Sequence, residues 1–389
     1  MQMFRAFSAS AIAAAAFALL LITGGPLRAQ SEEPIRVGAV LAVTGPFAQM
    51  GAPEKKTLEV FVKELNDDGG LVGRPVELIV YDSKGDADEA RTLATRLVEE
   101  DGIVAMIGGS TTGETLAMMP IFDSHEIPFV SLAGSLAIVD PVRPFVFKTP
   151  HTDQMACEKI FADLGARGLA KVALLSGTDD FGKSMRVACL GAAAAGSVDV
   201  VVDEAYDPDE PAIEPRLADM GARGAEAVVV AGAGEGPARV VEAAAGSGIA
   251  VPLYISHAVA SPDFIAQAGA AAEGVRLPAS AVLVTDLLPE TDPQRDVLTD
   301  FKARYEAATG EPVSAYGGHA YDGLMLLVDA VKRAGSVDPF DLRNALESTS
   351  GFIGTAGVVN MTSMDHLGLD TSALRMLEIR DGGFNLVED

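Results

Sequence analysis

The segment IRVGAVLAVTGPFAQMG, residues 35–51, decides the fold of this chain. Its first half is an apolar run rich in β-branched residues, which predicts a buried β-strand. Thr44-Gly45-Pro46 ends that run, and a helical pattern opens near Ala52. A strand, a Gly/Pro loop and a helix in this order are the first unit of an α/β sheet. Ligands of such sheets lie where loops leave the carboxyl ends of the strands.

The same alternation of strand and helix patterns continues along the chain. Helical patterns over 53–66 and 86–100 flank an extended segment over 75–81, and a fully apolar strand follows over 103–107. After a break at 149–152, a second run of strands and helices begins. We therefore expect an α/β protein with two doubly wound parallel sheets, which are joined without a flexible linker.

Length and charge restrict the class of protein. The 389 residues are enough for two domains. The net charge of −26 argues against nucleic-acid binding, because contacts to phosphates need clustered Lys and Arg. Cys157 and Cys189 lie in no CxxC pattern. We interpret them as two small buried thiols. A disulfide bridge stays open as the alternative, provided that the two Cα atoms lie within about 7 Å.

The first 29 residues have the features of a targeting segment. Arg5 precedes an apolar core over 11–22, and small residues near Ala29 suit a cleavage site. The core is too short to span a bilayer comfortably, so a cleaved signal peptide is the better interpretation than an anchor. We expect the mature protein to be periplasmic, with no transmembrane helix of its own.

Two small polar loops follow successive predicted strands. The loop GGSTTG, residues 108–113, precedes a helix over 114–124, and Leu132-Ala133-Gly134-Ser135 follows the strand over 127–131. Hydroxyls and free N–H groups at a helix N-terminus suit an anion. The simpler interpretation is an N-cap by Thr111 or Thr112. Two such loops at one sheet edge favour a ligand site.

An enzyme is the first alternative class. Ser110 could serve as a nucleophile and His257 as a base, but no G-x-S-x-G elbow surrounds Ser110 and no acids are spaced for acid/base work. The five histidines show no metal-ligand spacing, and the first strand lacks a G-x-G-x-x-G. We therefore expect neither catalysis nor a bound metal or cofactor.

Several segments, in this order, resemble the periplasmic leucine/isoleucine/valine-binding proteins, the type I solute-binding proteins of ABC importers. They span almost the whole mature chain and include NDDGGLVGRPVELIVYDS, IVAMIGGSTTG, IPFVSLAGS, FKTPHTDQ, DDFGKS, AAEGV, YDGLMLLVDAV and GFIGTAGVVNM. The resemblance implies the type I periplasmic-binding-protein fold with three hinge crossings. Lobe 1 would comprise 34–149 plus 283–353, and lobe 2 would comprise 150–282 plus 354–389.

The resemblance also implies a function. Family members close around one small ligand and deliver it to a membrane permease, so the expected partners are that ligand and the permease. The expected ligand is a branched-chain amino acid or a related organic acid or amide. A ligand-sensing subunit that reports to a signalling partner stays open as an alternative.

The lobe 1 half of the binding site matches the family pattern at six residues. The loop that holds the ligand carboxylate in relatives and the loop after it correspond to Ser110, Thr111, Thr112, Ala133, Gly134 and Ser135. Met50 stands where many relatives have an aromatic residue. The resemblance therefore implies a carboxylate anchor at these loops.

The lobe 2 half departs from the pattern. Phe181 replaces the lid tyrosine, and His257 stands where amino-acid binders have the acid that pairs the ligand ammonium. Because a neutral imidazole accepts one hydrogen bond and an imidazolium repels a cation, this pattern favours a ligand with a neutral or acceptor-bearing far end. The alternative is an amino acid bound through Asp180 or Glu235.

Overall fold

The structure is a computed structural model that describes residues 33–196, 198–208, 210 and 213–387. The predicted signal peptide, residues 1–29, lies outside the described residues. Within the described ranges, no helix is long and apolar enough to cross a membrane.

The first sheet contains five parallel strands of the described chain. Its order is β2-β1-β3-β4-β5. The strands are β1 (Ile35–Leu41), β2 (Val76–Asp82), β3 (Ala105–Gly108), β4 (Phe129–Ser131) and β5 (Val146–Lys148). Their loops at the carboxyl ends, after β1, β3 and β4, are the three that the sequence singles out.

The second sheet contains seven described strands in the order β14-β13-β10-β9-β8-β6-β7. The strands are β6 (Lys171–Gly177), β7 (Asp199–Tyr206), β8 (Ala227–Ala231), β9 (Leu253–Ile255), β10 (Arg276–Ala279), β13 (Arg375–Arg380) and β14 (Gly383–Leu386). β6 to β10 are parallel, whereas β13 runs antiparallel to β10 and β14. The tight turn at Asp381-Gly382, where both φ angles are positive, reverses the chain and makes the last pair antiparallel. This antiparallel edge is a detail that the alternating pattern did not predict.

Helices cover the sheets, and a two-stranded hairpin, β11 (Phe352–Ile353) with β12 (Val358–Val359), lies outside them. The helices are α1 (Ala48–Asp67), α2 (Ala87–Glu99), α3 (Thr112–Ser124), α4 (Asp153–Ala166), α5 (Asp180–Ala195), α6 (Glu214–Ala222), α7 (Gly236–Ser247), α8 (Pro262–Ala268), α9 (Arg295–Thr309), α10 (Ala315–Ala334) and α11 (Pro339–Glu347). This is the predicted α/β class with two sheets.

The first helix begins earlier than the sequence pattern suggested. It starts at Ala48 rather than near Ala52, and Pro53 lies inside it. Gly51 makes this possible, since a Cβ there would lie 2.3 Å from the backbone of Ala42 at the end of β1. The helix therefore runs against the strand end and carries its first turns into the loop region, where Met50 is buried.

The late helices α9 and α10 return to the first sheet. Phe61 of α1, Phe301 of α9 and Tyr321 of α10 form an aromatic cluster with ring centroids 4.7–5.7 Å apart. Such ring contacts add to the free energy of burying the apolar surface. This packing agrees with the predicted return of the chain to lobe 1, although the lobe boundaries themselves stay a prediction.

Buried polar groups join the chain segments that pass between the sheets. The Lys148 ammonium donates to the carbonyl oxygens of Ser135 and His151, at 3.2 and 3.3 Å. His151 Nε2 donates to the Ala356 carbonyl at 2.8 Å, and the Ser280 hydroxyl donates to the carbonyl of Thr355 at 2.8 Å. Burial lowers the pKa of Lys148 to about 7.

The two cysteines form a disulfide bridge. Cys157 lies on α4 and Cys189 on α5, and their Cα atoms are 5.0 Å apart. The interpretation as two free thiols is therefore wrong. The reason is tertiary, because α4 and α5 pack side by side and bring the residues within bridging distance, which their spacing in sequence does not reveal.

Candidate ligand-binding site

A cavity of about 210 Å³ lies between the carboxyl ends of the two sheets. The first-sheet side contributes the loops after β1 to β4, namely Phe47, Met50, Gly85, Ala87, Ser110, Thr111, Thr112, Gly113 and Gly134. The second-sheet side contributes Asp179, Asp180, Phe181, Ala233 and Ala258. Loops from both sheets thus converge on one small space, as expected for parallel sheets. Met50, Ser110, Thr111, Thr112, Gly134 and Phe181 are the predicted site residues that line it.

Ser110 lines the cavity, but its hydroxyl is used inside the protein. Its Oγ accepts a hydrogen bond from the N–H of Ala42 at 3.0 Å and donates to Glu54 Oε2 at 2.5 Å. Burial raises the pKa of the Glu54 carboxyl well above its ordinary value. Ser110 therefore ties the loop after β3 to α1 and to the end of β1.

Thr111 is the N-cap of α3. Its Oγ1 accepts from the N–H of Glu114 at 3.3 Å, and its own N–H donates to Glu114 Oε2 at 2.8 Å. The Glu114 side chain also accepts a hydrogen bond from Ser83. This reciprocal pair is a capping box, so the simpler interpretation of the loop is confirmed for Thr111.

Thr112 differs from its two neighbours. It is the first residue of α3 and is 2% exposed, and its Oγ1 is buried without a hydrogen-bond partner among the described residues. The N–H groups of Thr112 and Gly113 belong to the first turn, where no intrahelical acceptor exists. Thr112 lines the cavity, so an unsatisfied hydroxyl and a helix N-terminus lie at its edge, a combination that suits a carboxylate.

The loop after β4 contributes only its glycine. Ala133 packs in the hydrophobic core, and the Ser135 hydroxyl lies 2.6 Å from that of Ser184. A Cβ on Gly134 would lie 3.0 Å from both His257 Nε2 and the Phe181 ring. Gly134 therefore allows the second-sheet side to approach closely, whereas Ala133 and Ser135 do not line the cavity.

His257 lies behind the cavity wall rather than in it. Its ring packs edge-to-face on Phe181 with centroids 5.5 Å apart, and its Nε2 donates to the carbonyl of His151 at 3.1 Å. Its Nδ1 has no hydrogen-bond partner among the described residues. Burial, helped by His151 and Lys148, lowers the pKa of His257 to about 3, so the imidazole is neutral at pH 7.

Comparison with known proteins shows the same architecture throughout. Residues 34–383 match the family described as periplasmic binding protein. This chain belongs to the periplasmic binding protein family. A leucine-, isoleucine-, valine-, threonine- and alanine-binding protein from Pseudomonas aeruginosa is 22% identical over 340 residues, which cover 86% of this chain and 87% of that protein.

Solved structures of similar proteins superimpose closely. An extracellular ligand-binding receptor from Rhodopseudomonas palustris HaA2 has a TM-score of 0.84 at 25% identity, over 91% of this chain and 99% of that one. The branched-chain amino acid transporter substrate binding protein LivJ from Streptococcus pneumoniae, in complex with isoleucine, has a TM-score of 0.80 at 23% identity, over 92% and 100%. The type I fold is confirmed. By name, these relatives are binding proteins and receptors, which supports the reading that the chain is not an enzyme.

Sequence reasoning missed Phe47 in this periplasmic binding protein. The Phe47 ring packs against the backbone of Gly85 on the first-sheet side and of Gly234 on the second-sheet side. A Cβ atom would lie 2.6 Å from the ring at Gly85 and 3.0 Å from it at Gly234. Phe47, from the first-sheet side, thus fills the space beside Gly234. The sequence signal that could have identified Phe47 is its position directly after Thr44-Gly45-Pro46.

Sequence reasoning also missed Asp179. It is the N-cap of α5, where its Oδ1 accepts from the N–H of Gly182 at 2.9 Å, yet it lines the cavity and its Oδ2 is buried without a partner among the described residues. Burial raises the pKa of Asp179. Of the acids considered from sequence, Asp180 lines the cavity, whereas Glu235 bonds Arg239 along α7 and does not.

The polar side chains at the cavity suit ligand binding better than metal coordination or acid/base catalysis. No group of His, Cys, Asp or Glu side chains in the described ranges could hold a metal ion. Among the described lining residues, Thr112 is the one whose hydroxyl is buried without a partner, while that of Ser110 is already bonded to Glu54. His257 also lies behind Gly134 and bonds His151. The catalytic pairing of Ser110 with His257 thus lacks support.

Proposed function

We propose that this protein is the solute-binding component of an ABC importer. It captures a small carboxylate-bearing ligand, such as a branched-chain amino acid or a related organic acid or amide, and delivers it to a membrane permease. The observation that carries this proposal lies at the N-terminus of α3, where Thr112 lines a cavity shared by both sheets and its hydroxyl has no hydrogen-bond partner among the described residues.

A carboxylate is the group that this corner of the cavity fits best. A helix N-terminus carries a partial positive charge of about half an elementary charge, and it attracts anions without a basic side chain. A hydrogen bond to a charged group is worth roughly 1.5–3 kcal/mol. The cavity volume of about 210 Å³ lies below the range for drug-sized ligands and suits a ligand of amino-acid size.

The arrangement of the two sides supports capture by closure. Phe47 and Gly113 on the first-sheet side meet Gly234 and Asp180 on the second. Such contacts exist only when the two sides are close, so a ligand that touches both sides favours the closed form over an open one. The lobes would be 34–149 plus 283–353 and 150–282 plus 354–389, with hinges at the segments joined by Lys148 and His151.

Export to the periplasm belongs to the same proposal. Membership of the family supports a periplasmic or extracellular location. Residues 1–29 would act as the cleavable signal peptide. The N-terminal sequence of protein purified from the periplasm tests this, because a mature chain that begins near residue 30 is expected.

A thermal-shift screen tests the binding function. The panel consists of amino acids, aliphatic and aromatic carboxylates, and amides, because a ligand that binds only the folded form raises the melting temperature by mass action. At least one small carboxylate should stabilise the protein, and Thr112→Val should abolish most of that shift. Stabilisation by neutral sugars alone would contradict the proposal.

A further inference from the structure

A buried hydrogen bond joins the two sides of the protein next to the ligand cavity. The hydroxyl of Tyr316, at the start of α10, donates to the carbonyl oxygen of Ala258, in the loop after β9, at 2.7 Å. Both residues are buried, but Ala258 lines the cavity and Tyr316 does not. Tyr316 therefore contacts a residue of the cavity wall from behind, without reaching the space that a ligand occupies.

The two partners of this bond are fixed to different sheets. The helix α10 packs on the first sheet, where a Cβ on Gly323 would lie 3.1 Å from the side chain of Ile107 in β3. Ala258 lies in the loop that follows β9, and β9 pairs with β8 and β10 of the second sheet. Movement of one sheet away from the other must therefore break the bond between Tyr316 and Ala258.

The surroundings of Tyr316 make this bond a durable one. Burial raises the pKa of the Tyr316 hydroxyl, so the group stays a donor throughout the neutral pH range. A nearby bond between the two sides, from Gln267 Nε2 of α8 to Gln49 Oε1 of α1 at 3.2 Å, is exposed. Because water competes for exposed amide groups and not for buried ones, the Tyr316 bond should contribute more to closure.

We propose that Tyr316 is a latch for the closed form, whose hydrogen bond to Ala258 is made only when the two sides meet and slows the release of a ligand that Tyr316 does not touch. This inference rests on the proposed function, because it takes the two sides to open and close around a ligand. Tyr316 is thus a positioning residue, which acts on closure and on the placement of Ala258 rather than on recognition.

Removal of the hydroxyl should affect the closed form and not the open one. In the open form, water can reach the carbonyl oxygen of Ala258, whereas in the closed form that oxygen is buried. An acceptor left unpaired in a buried place costs more free energy than an average hydrogen bond contributes. Tyr316→Phe should therefore shift the equilibrium towards the open form, without changing the charges that line the cavity.

The test compares Tyr316→Phe and Tyr321→Phe with the wild type. Tyr321 is a matched control, because it is a buried tyrosine on the same helix but packs with Phe61 and Phe301 on the first-sheet side. The probes are leucine, isoleucine, valine and 4-methylpentanoate. Calorimetry gives their affinity, and the release of isotope-labelled probe into an excess of unlabelled probe gives the dissociation rate.

The latch predicts a specific pattern of rates. Tyr316→Phe should weaken the affinity for a bound probe roughly 5- to 20-fold, almost entirely through faster dissociation. Tyr321→Phe should change the dissociation rate by less than about twofold. The melting temperatures of the two free variants should be similar, because each loses one buried hydroxyl and only Tyr316 joins the two sides.

Three outcomes overturn the inference. Equal dissociation rates in Tyr316→Phe and the wild type exclude a latch but leave the solute-binding function standing. An equally large loss of affinity in Tyr321→Phe also excludes it, since a general change in the packing of α10 would then explain both variants. Binding of none of the probes, by wild-type protein that is folded, overturns the proposed function together with the inference.

Discussion

The Phe47 ring on the first-sheet side packs directly against the backbone of Gly234 on the second-sheet side. A Cβ atom on Gly234 would lie 3.0 Å from Cε1 of that ring. Gly234 also has a φ of +69°, a conformation that favours glycine. Substitution Gly234→Ala should hold the two sides apart and weaken ligand binding by roughly tenfold, about 1.4 kcal/mol.

The control for this contact is Gly248→Ala. Gly248 also has a positive φ, but nothing lies within 4 Å of its notional Cβ. The Gly248→Ala variant should lower the free energy of unfolding, as Gly234→Ala does, but leave the affinity for the ligand unchanged. Equal affinities for both variants, measured by calorimetry, would show that Phe47 and Gly234 do not control closure.

Thr111 and Thr112 should separate stability from binding. Thr111→Val removes the cap of α3 and should lower the free energy of unfolding by about 1 kcal/mol. Thr112→Val removes an unpaired hydroxyl and should weaken binding tenfold or more with little change in the melting temperature. Unchanged affinity in Thr112→Val would reduce the loop to its capping role.

Lowering the pH should destabilise the protein, because His151 is protonated more easily in the unfolded chain than in the folded protein. Burial lowers the pKa of His151 to about 4, and the groups that face it are His257, His319, Lys148 and Arg375. The folded pKa lies below the unfolded value of about 6.5, so the stabilisation is present above pH 6.5 and is lost as the pH falls towards 4. The difference between these two pKa values corresponds to roughly 3 kcal/mol of the free energy of unfolding.

Urea unfolding between pH 7 and pH 4 measures this effect. His151→Gln keeps a donor for the Ala356 carbonyl but cannot titrate. The variant should lose clearly less stability over this range than the wild type. The same loss in both proteins would assign the acid sensitivity to other groups.

The disulfide gives a prediction that needs no ligand. Cys157 and Cys189 are 32 residues apart in sequence, and closing a loop of that size stabilises a protein by about 3–4 kcal/mol in the chain-entropy treatment. Reductant should lower the melting temperature of the wild type and leave a Cys157→Ser/Cys189→Ser double variant unchanged. Two alkylated thiols in the non-reduced protein would exclude the bridge.

The fold and the first-sheet half of the site could be predicted from the sequence. Apolar strands and small polar loops leave clear patterns, so the loops that contain Thr112 and Gly134 were predictable. Asp179 was not, because an aspartate that only caps a helix and one that also lines a cavity look the same in the sequence. His257 was misleading, since only the packing of Gly134 and Phe181 shows that it lies behind the wall.

A crystal structure of the protein with its best ligand from the screen is the most direct test of carboxylate binding at α3. The ligand should lie between the two sheets, with its carboxylate within about 3 Å of Thr112 Oγ1 and of the first N–H groups of α3. A ligand bound outside this cavity, or with its carboxylate turned away from α3, would rule out this binding mode.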